Sequence, residues 1–109
     1  MNLDELQKNT MTWTAHNCPD AESYEPLLGI QEEIGELSHA WLKRKQGIRG
    51  TYKEHTEEMS DAIGDLLIYI ADFCNKNFLS MQESLDTTWD EVSKRDWRSD
   101  PISGKHTGE

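Results

Sequence analysis

Apolar residues recur at intervals of three and four along most of the chain, and this spacing predicts four helices. Leu27, Ile30, Ile34, Leu37 and Trp41 draw one stripe along a helix expected from residue 23 or 24 to residue 45. Ser23 is its expected cap, and Pro26 falls in the first turn, where a missing N–H costs nothing. Met59, Ile63, Leu66, Ile70 and Phe73 repeat the pattern on a helix expected from residue 53 or 54 to residue 76. Leu3, Leu6, Met11 and Trp13 suit a short, weakly amphipathic helix over residues 1–14 that begins near Asn2 or Asp4. Ser80-Met81-Gln82-Glu83 reads as a capping box opening a last helix, with Leu85, Trp89 and Val92 on its apolar face. Residues 16–25, with Asn17, Pro19, Asp20 and Ser23, lack periodicity and read as a loop. No segment argues for a strand, so the expected fold class is all-α, a four-helix subunit.

The 109 residues are expected to form one domain over 1–99, followed by a flexible tail over 100–109 marked by Pro101, Gly104 and Gly108. A chain of this size buries only a modest core, and its helices carry more apolar surface than one copy can cover. A homodimer or homotetramer, assembled through the apolar stripes, is therefore the expected state.

Charge changes the picture more than size does. With 21 acidic against 11 basic residues, the formal net charge is -10, which disfavours a nucleic-acid surface. No apolar run approaches the roughly 20 residues that a membrane span requires, and no basic and apolar leader opens the chain, so a cytoplasmic protein is expected. Cys18 and Cys74 lack paired spacing and are read as reduced thiols.

The acidic residues are not spread evenly. Glu32, Glu33 and Glu36 crowd the middle of one predicted helix, and Glu58, Asp61 and Asp65 the next. At about 100° per residue, Glu33 lies roughly 80° from the centre of its apolar stripe, Glu36 about 140°, and Glu32 nearly opposite. Glu33 and Glu36 should look along the edge of the core, and Glu32 should stand further out. Glu58, Asp61 and Asp65 fall within roughly 60° of one another and also flank a stripe. Two such clusters on consecutive antiparallel helices would repel strongly unless a cation sat between them. Oxygen-only ligands select hard cations, Mg²⁺ or Mn²⁺, which keep positions open for water and substrate phosphates. Residues 43–53 hold five basic residues, among them Lys43, Lys45 and Arg49, and a second basic and aromatic cluster, Lys94, Arg95, Trp97 and Arg98, follows the last helix. Positive charge gathered beside an acidic site suits the outer phosphates of a metal-bound polyphosphate.

Glu32-Glu33-Ile34-Gly35-Glu36-Leu37 resembles the EExxE motif of the MazG-like all-α nucleoside triphosphate pyrophosphohydrolases, a group related to dimeric dUTPases. The run from Asp61 to Tyr69 resembles that group's second motif, an ExxD followed by apolar residues. The resemblance covers about residues 27–73. It implies Mg²⁺ bound by Glu33, Glu36 and Asp65, with Glu32 contributing to the site or to water activation. It also implies attack of water at the α-phosphorus of a (d)NTP, giving a nucleoside monophosphate and pyrophosphate. Ala62 stands where the motif expects its glutamate, and Asp61 or Glu58 would supply the ligand instead, Asp61 by its one-turn spacing from Asp65. In the resembling family, basic residues after the first acidic helix and near the last helix contact phosphates, which makes Lys43, Lys45, Arg49, Lys94, Arg95 and Arg98 candidates. Trp13, Trp41, Tyr69 and Trp97 are candidates for stacking on a base, and His16 and Asn17 for touching the substrate from the loop.

Two other readings compete. Glu36-Leu37-Ser38-His39 is an ExxH, the unit that di-iron carboxylate bundles use in matched pairs. The acidic helices could also be solvated faces of a non-enzymatic interaction protein, which would show no Mg²⁺-dependent stabilisation.

Overall fold

The computed structural model describes residues 1–105 and contains four helices in the order α1 (Leu3–Asn17), α2 (Glu25–Gln46), α3 (Tyr52–Lys76) and α4 (Met81–Val92). No strand is present among the described residues, and no described helix is long and apolar enough to cross a membrane. The caps explain where each helix begins. Asn2 accepts the Glu5 amide at 2.8 Å, and Ser80 accepts the Glu83 amide at 3.1 Å. Thr51 and Glu54 form a reciprocal capping box at the start of α3. Ser23 does not cap α2. That helix starts two residues later with no side-chain cap, and the Ser23 carbonyl instead accepts from Asn77. α1 continues through His16 and Asn17, so both lie on its last turn and not in the expected loop. Gly47, at φ 71°, closes α2 in the left-handed region that favours glycine.

α2 and α3 fold back on one another across the short connector 47–51 and form the principal helix pair, with α1 lying on α3 and α4 on α1. The side that α2 buries follows Pro26, Glu33 and Ala40, seven residues apart. This line lies about 80° round the helix from the centre of the apolar stripe. Leu37 and Ile30 are half-buried, whereas Ile34 is 45 % and Trp41 52 % exposed. On α3, Met59, Leu66, Ile70 and Phe73 are at least half-buried, and Ile63 is exposed. α1 likewise buries Thr10 and Thr14 below Leu3 and Leu6, leaving Met11 and Trp13 outside.

The apolar core is small. Ala71, Cys74 and Met81 are buried, with Leu3, Leu6 and Ile70 packed against them. Burial pushes the Cys74 thiol up, and both cysteines are free. Gln7 fastens this end of the molecule. Its amide donates to Asn75 at 3.1 Å and to the Leu79 carbonyl at 2.9 Å, and its oxygen accepts the Met81 amide at 2.7 Å. Leu85, Trp89 and Val92 on α4 remain exposed. The segment after α4 is hydrogen-bonded: Asp96 caps the turn at Ser99, and Asp100, its carboxyl held low by Ser103, caps the next. The first part of the expected tail is thus turn structure, and residues 106–109 lie outside the described residues.

The chain is open for its mass. Its radius of gyration is 17.9 Å, against about 13 Å for a compact domain of this length. It exposes 8229 Å², where a compact monomer of 12.6 kDa exposes roughly 6,200 Å². Replacing Gln7 by Ala removes one side chain that holds three partners, and should cost about 2 kcal/mol of stability, read from the urea midpoint at unchanged slope.

Candidate metal centre

Glu33 is the unusual residue of the α2–α3 contact. The seven-residue line from Pro26 to Ala40 passes through it and leaves it 5 % exposed, and its Oε2 atom has no hydrogen-bond partner among the described residues. Glu32 and Glu36, exposed on the same helix, bring carboxylate oxygens to it, and one oxygen from each of the three lies within 4.8 Å of the others. Glu32 therefore joins the cluster despite its outward position on the helix. Glu33 is pushed up to about 7, first by loss of hydration, then by the charges of Glu36, Asp65 and Glu32 and a hydrogen bond with Glu36.

α3 supplies the facing wall. An open cleft of about 390 Å³ is lined by Glu32, Gly35, Glu36 and His39 from α2 and by Glu58 and Asp61 from α3. A neighbouring depression is lined by Asp61, Gly64, Asp65 and Ile68, so Asp61 belongs to both. Gly35 leaves the floor of the cleft without a side chain. Asp65, half-buried, is the α3 carboxylate felt by Glu33. Ala62 is 2 % exposed, so its position is turned into the fold, and the α3 carboxylates that open onto the cleft are Glu58 and Asp61. All six predicted acidic residues are gathered here.

Tyr69 sits at the edge of this cluster. Its ring packs on Gly29 so closely that a Cβ there would lie 2.4 Å from Cε1, and its hydroxyl is pushed up by burial and by Glu32, Glu33 and Asp65. The other predicted substrate residues are dispersed. Among the described residues, no lysine or arginine lines the cleft. Lys43 donates to Gln46, and Lys45 borders a separate hollow with Trp41, Arg44 and Tyr52, where Arg44 stacks on Tyr52 at 4.5 Å and reaches Thr56. Arg49 lies in the connector at φ 61°. Lys94 pairs with Asp90, and Arg95, Trp97 and Arg98 follow α4, which packs mainly on α1. Trp13 is exposed, and its carbonyl accepts from Asn17.

Two histidines join the site without a clear signal in the sequence. His39 enters there only as part of an ExxH, and it lines the cleft. His55, 2 % exposed, stands behind Glu58, and only the folded structure sets it against that carboxylate of the cleft wall. Chemically, the Glu32, Glu33 and Glu36 group is all carboxylate oxygen, with one buried oxygen left unpartnered. That donor set fits a hard cation held by Glu32, Glu33 and Glu36, with the charge of Asp65 acting on Glu33 and with Glu58 and Asp61 on the facing wall.

No protein-family model matches the chain, and comparison with curated proteins and with solved structures gives no match.

The raised Glu33 carboxyl has a consequence for stability without metal. Between its ordinary 4.5 and its folded value of about 7 the native state binds more proton than the unfolded chain, so stability is fully present below 4.5 and declines as pH rises through 7. In EDTA, the melting temperature should fall between pH 5 and pH 8, and Glu33→Gln, which cannot ionise, should flatten that slope and melt higher at pH 8.

Proposed function

We propose that the protein is a Mg²⁺-dependent nucleoside triphosphate pyrophosphohydrolase that cleaves a (d)NTP to a monophosphate and pyrophosphate. The observation that carries this reading is the buried Glu33 carboxyl, its Oε2 atom unpartnered, beside Glu32, Glu36 and Asp65. Such a group is stable only with a proton or a cation, and the neighbouring carboxylates, with Glu32 and Glu36 open to the cleft, favour the cation. The resemblance of the motifs at 32–37 and 61–69 to the MazG-like family supplies the choice of reaction.

Mg²⁺ bound there would neutralise phosphate oxygens and acidify a bound water. Glu33, Glu36 and Asp65 would hold it, completed by Asp61 or Glu58. Glu32, exposed at the cleft, is the carboxylate placed to accept a proton from the attacking water. Tyr69 borders the same acids and is the aromatic residue this reading assigns to the base.

The basic residues act from a second copy of the chain. Among the described residues the cleft has no lysine or arginine of its own, and Arg95 and Arg98 follow a helix whose Leu85, Trp89 and Val92 are uncovered. The protomer's surface excess of roughly 2,000 Å² over a compact monomer is ample for a stable interface, which takes about 800 Å² from each partner. A homodimer or homotetramer follows.

A di-iron centre is the second reading, favoured by Glu36 and His39 on one cleft wall. It is weakened by the α3 side, whose His55 is buried behind Glu58 with its two ring nitrogens already facing Ile48 and Glu58.

Incubation with a panel of nucleotides and Mg²⁺ should release pyrophosphate and a monophosphate. Release of inorganic phosphate and a diphosphate would refute the bond assignment. Glu36→Ala and Asp65→Ala should each lower turnover by at least about 10³-fold while the helix content stays unchanged. Sedimentation at micromolar concentration should show a dimer or larger, and a well-folded monomer would remove the case for a second copy.

A further inference from the structure

His55 is less exposed than any other buried polar side chain described, yet it lies one residue beyond the capping box that opens α3. Its backbone amide donates to Thr51, and its ring turns back under the connector 47–51. Nε2 is 2.9 Å from the Ile48 carbonyl, which can only accept, so the ring donates there. The same ring lies against Gly50, where a Cβ would stand 3.1 Å from Cε1 and Nε2 and where φ is 149°. Glycine is therefore required at position 50 on two counts. Between these two anchored residues is Arg49, held at φ 61°. On the opposite side, Nδ1 faces the Glu58 carboxylate at 3.4 Å, and Glu58 is one wall of the acidic cleft.

One buried ring thus touches both the connector that bears Arg49 and the carboxylate that borders the cleft. We infer that His55 is a positioning residue that couples the connector to the cleft, so that a divalent cation fixing Glu58 also fixes Ile48, Arg49 and Gly50. This inference rests on the metal reading above. It requires no direct contact between the cation and the ring. Coupling follows because Glu58 is otherwise more than half exposed, with a side chain free to leave the ring, and a Glu58 held by the cation closes the side of the ring opposite Ile48 and Gly50.

Hydrogen exchange of the connector, followed by mass spectrometry on the full chain with and without Mg²⁺, tests the coupling. Calorimetry on the same samples reports Mg²⁺ binding. In the native protein, saturating Mg²⁺ should slow exchange at residues 48–51. His55→Gln can still donate to the Ile48 carbonyl but does not present a group to Glu58. It should keep the metal-free exchange rate and bind Mg²⁺, yet lose the slowing. Mg²⁺ binding with no change in the native connector would overturn the coupling and leave the metal reading standing. Equal slowing in His55→Gln would overturn it in the same way. Absence of Mg²⁺ binding to the native protein would overturn both.

Discussion

The structure depends on one awkward burial, a glutamate at the centre of the contact between its two longest helices. Glu33 lies on the same seven-residue line as Pro26 and Ala40, and that line is the face α2 turns inward. An ionised carboxylate in such a place loses hydration and, here, meets three like charges. Either a proton or a cation must accompany it. The surroundings of Glu33 are other acids, and among the described residues no lysine or arginine lines the cleft to supply a counter-charge. This distinguishes the cluster from a solvated acidic face, whose members would all point to water.

Much of the fold is legible in the sequence because the relevant signals are local. The caps at Asn2 and Ser80, the paired acidic motifs and the three- and four-residue spacing of apolar positions place four helices within a few residues of their observed ends. Rotation is what the sequence hides. The apolar stripe through Ile34 and Trp41 predicts the inner face of α2, yet the helix is turned about 80° away from it. Periodicity identifies a face that needs cover without saying which neighbour covers it. In this chain α3 takes the side with Glu33 and Ala40, and the stripe remains half outside. The same displacement puts Thr10 and Thr14 inside while Met11 and Trp13 stay exposed.

The site divides in the same manner. Its acidic residues are legible because two carboxylate clusters flanking the packing stripes of consecutive helices repel one another unless a proton or a cation intervenes. A helical projection sets Glu32 too far out, since it treats side chains as radii, while a glutamate can bend toward its neighbour and bring an oxygen within 4.8 Å. His55 gives no signal of its own, because its partners are a backbone carbonyl in the preceding connector and a carboxylate one turn ahead. Nor does the sequence say where the basic clusters reach. Within the chain, Lys94, Arg95 and Arg98 belong to the α4 end and Lys43 and Lys45 to the far end of α2.

The central claim is that the Glu33 carboxyl exchanges a proton for a divalent cation. Calorimetric titration of metal-stripped protein with Mg²⁺ at pH 7, run in two buffers of different ionisation enthalpy, measures binding and proton release together. Saturable binding with release of a fraction of a proton per site is the expected result, with loss of that release in Glu33→Gln. Heats indistinguishable from dilution in both buffers would contradict the claim.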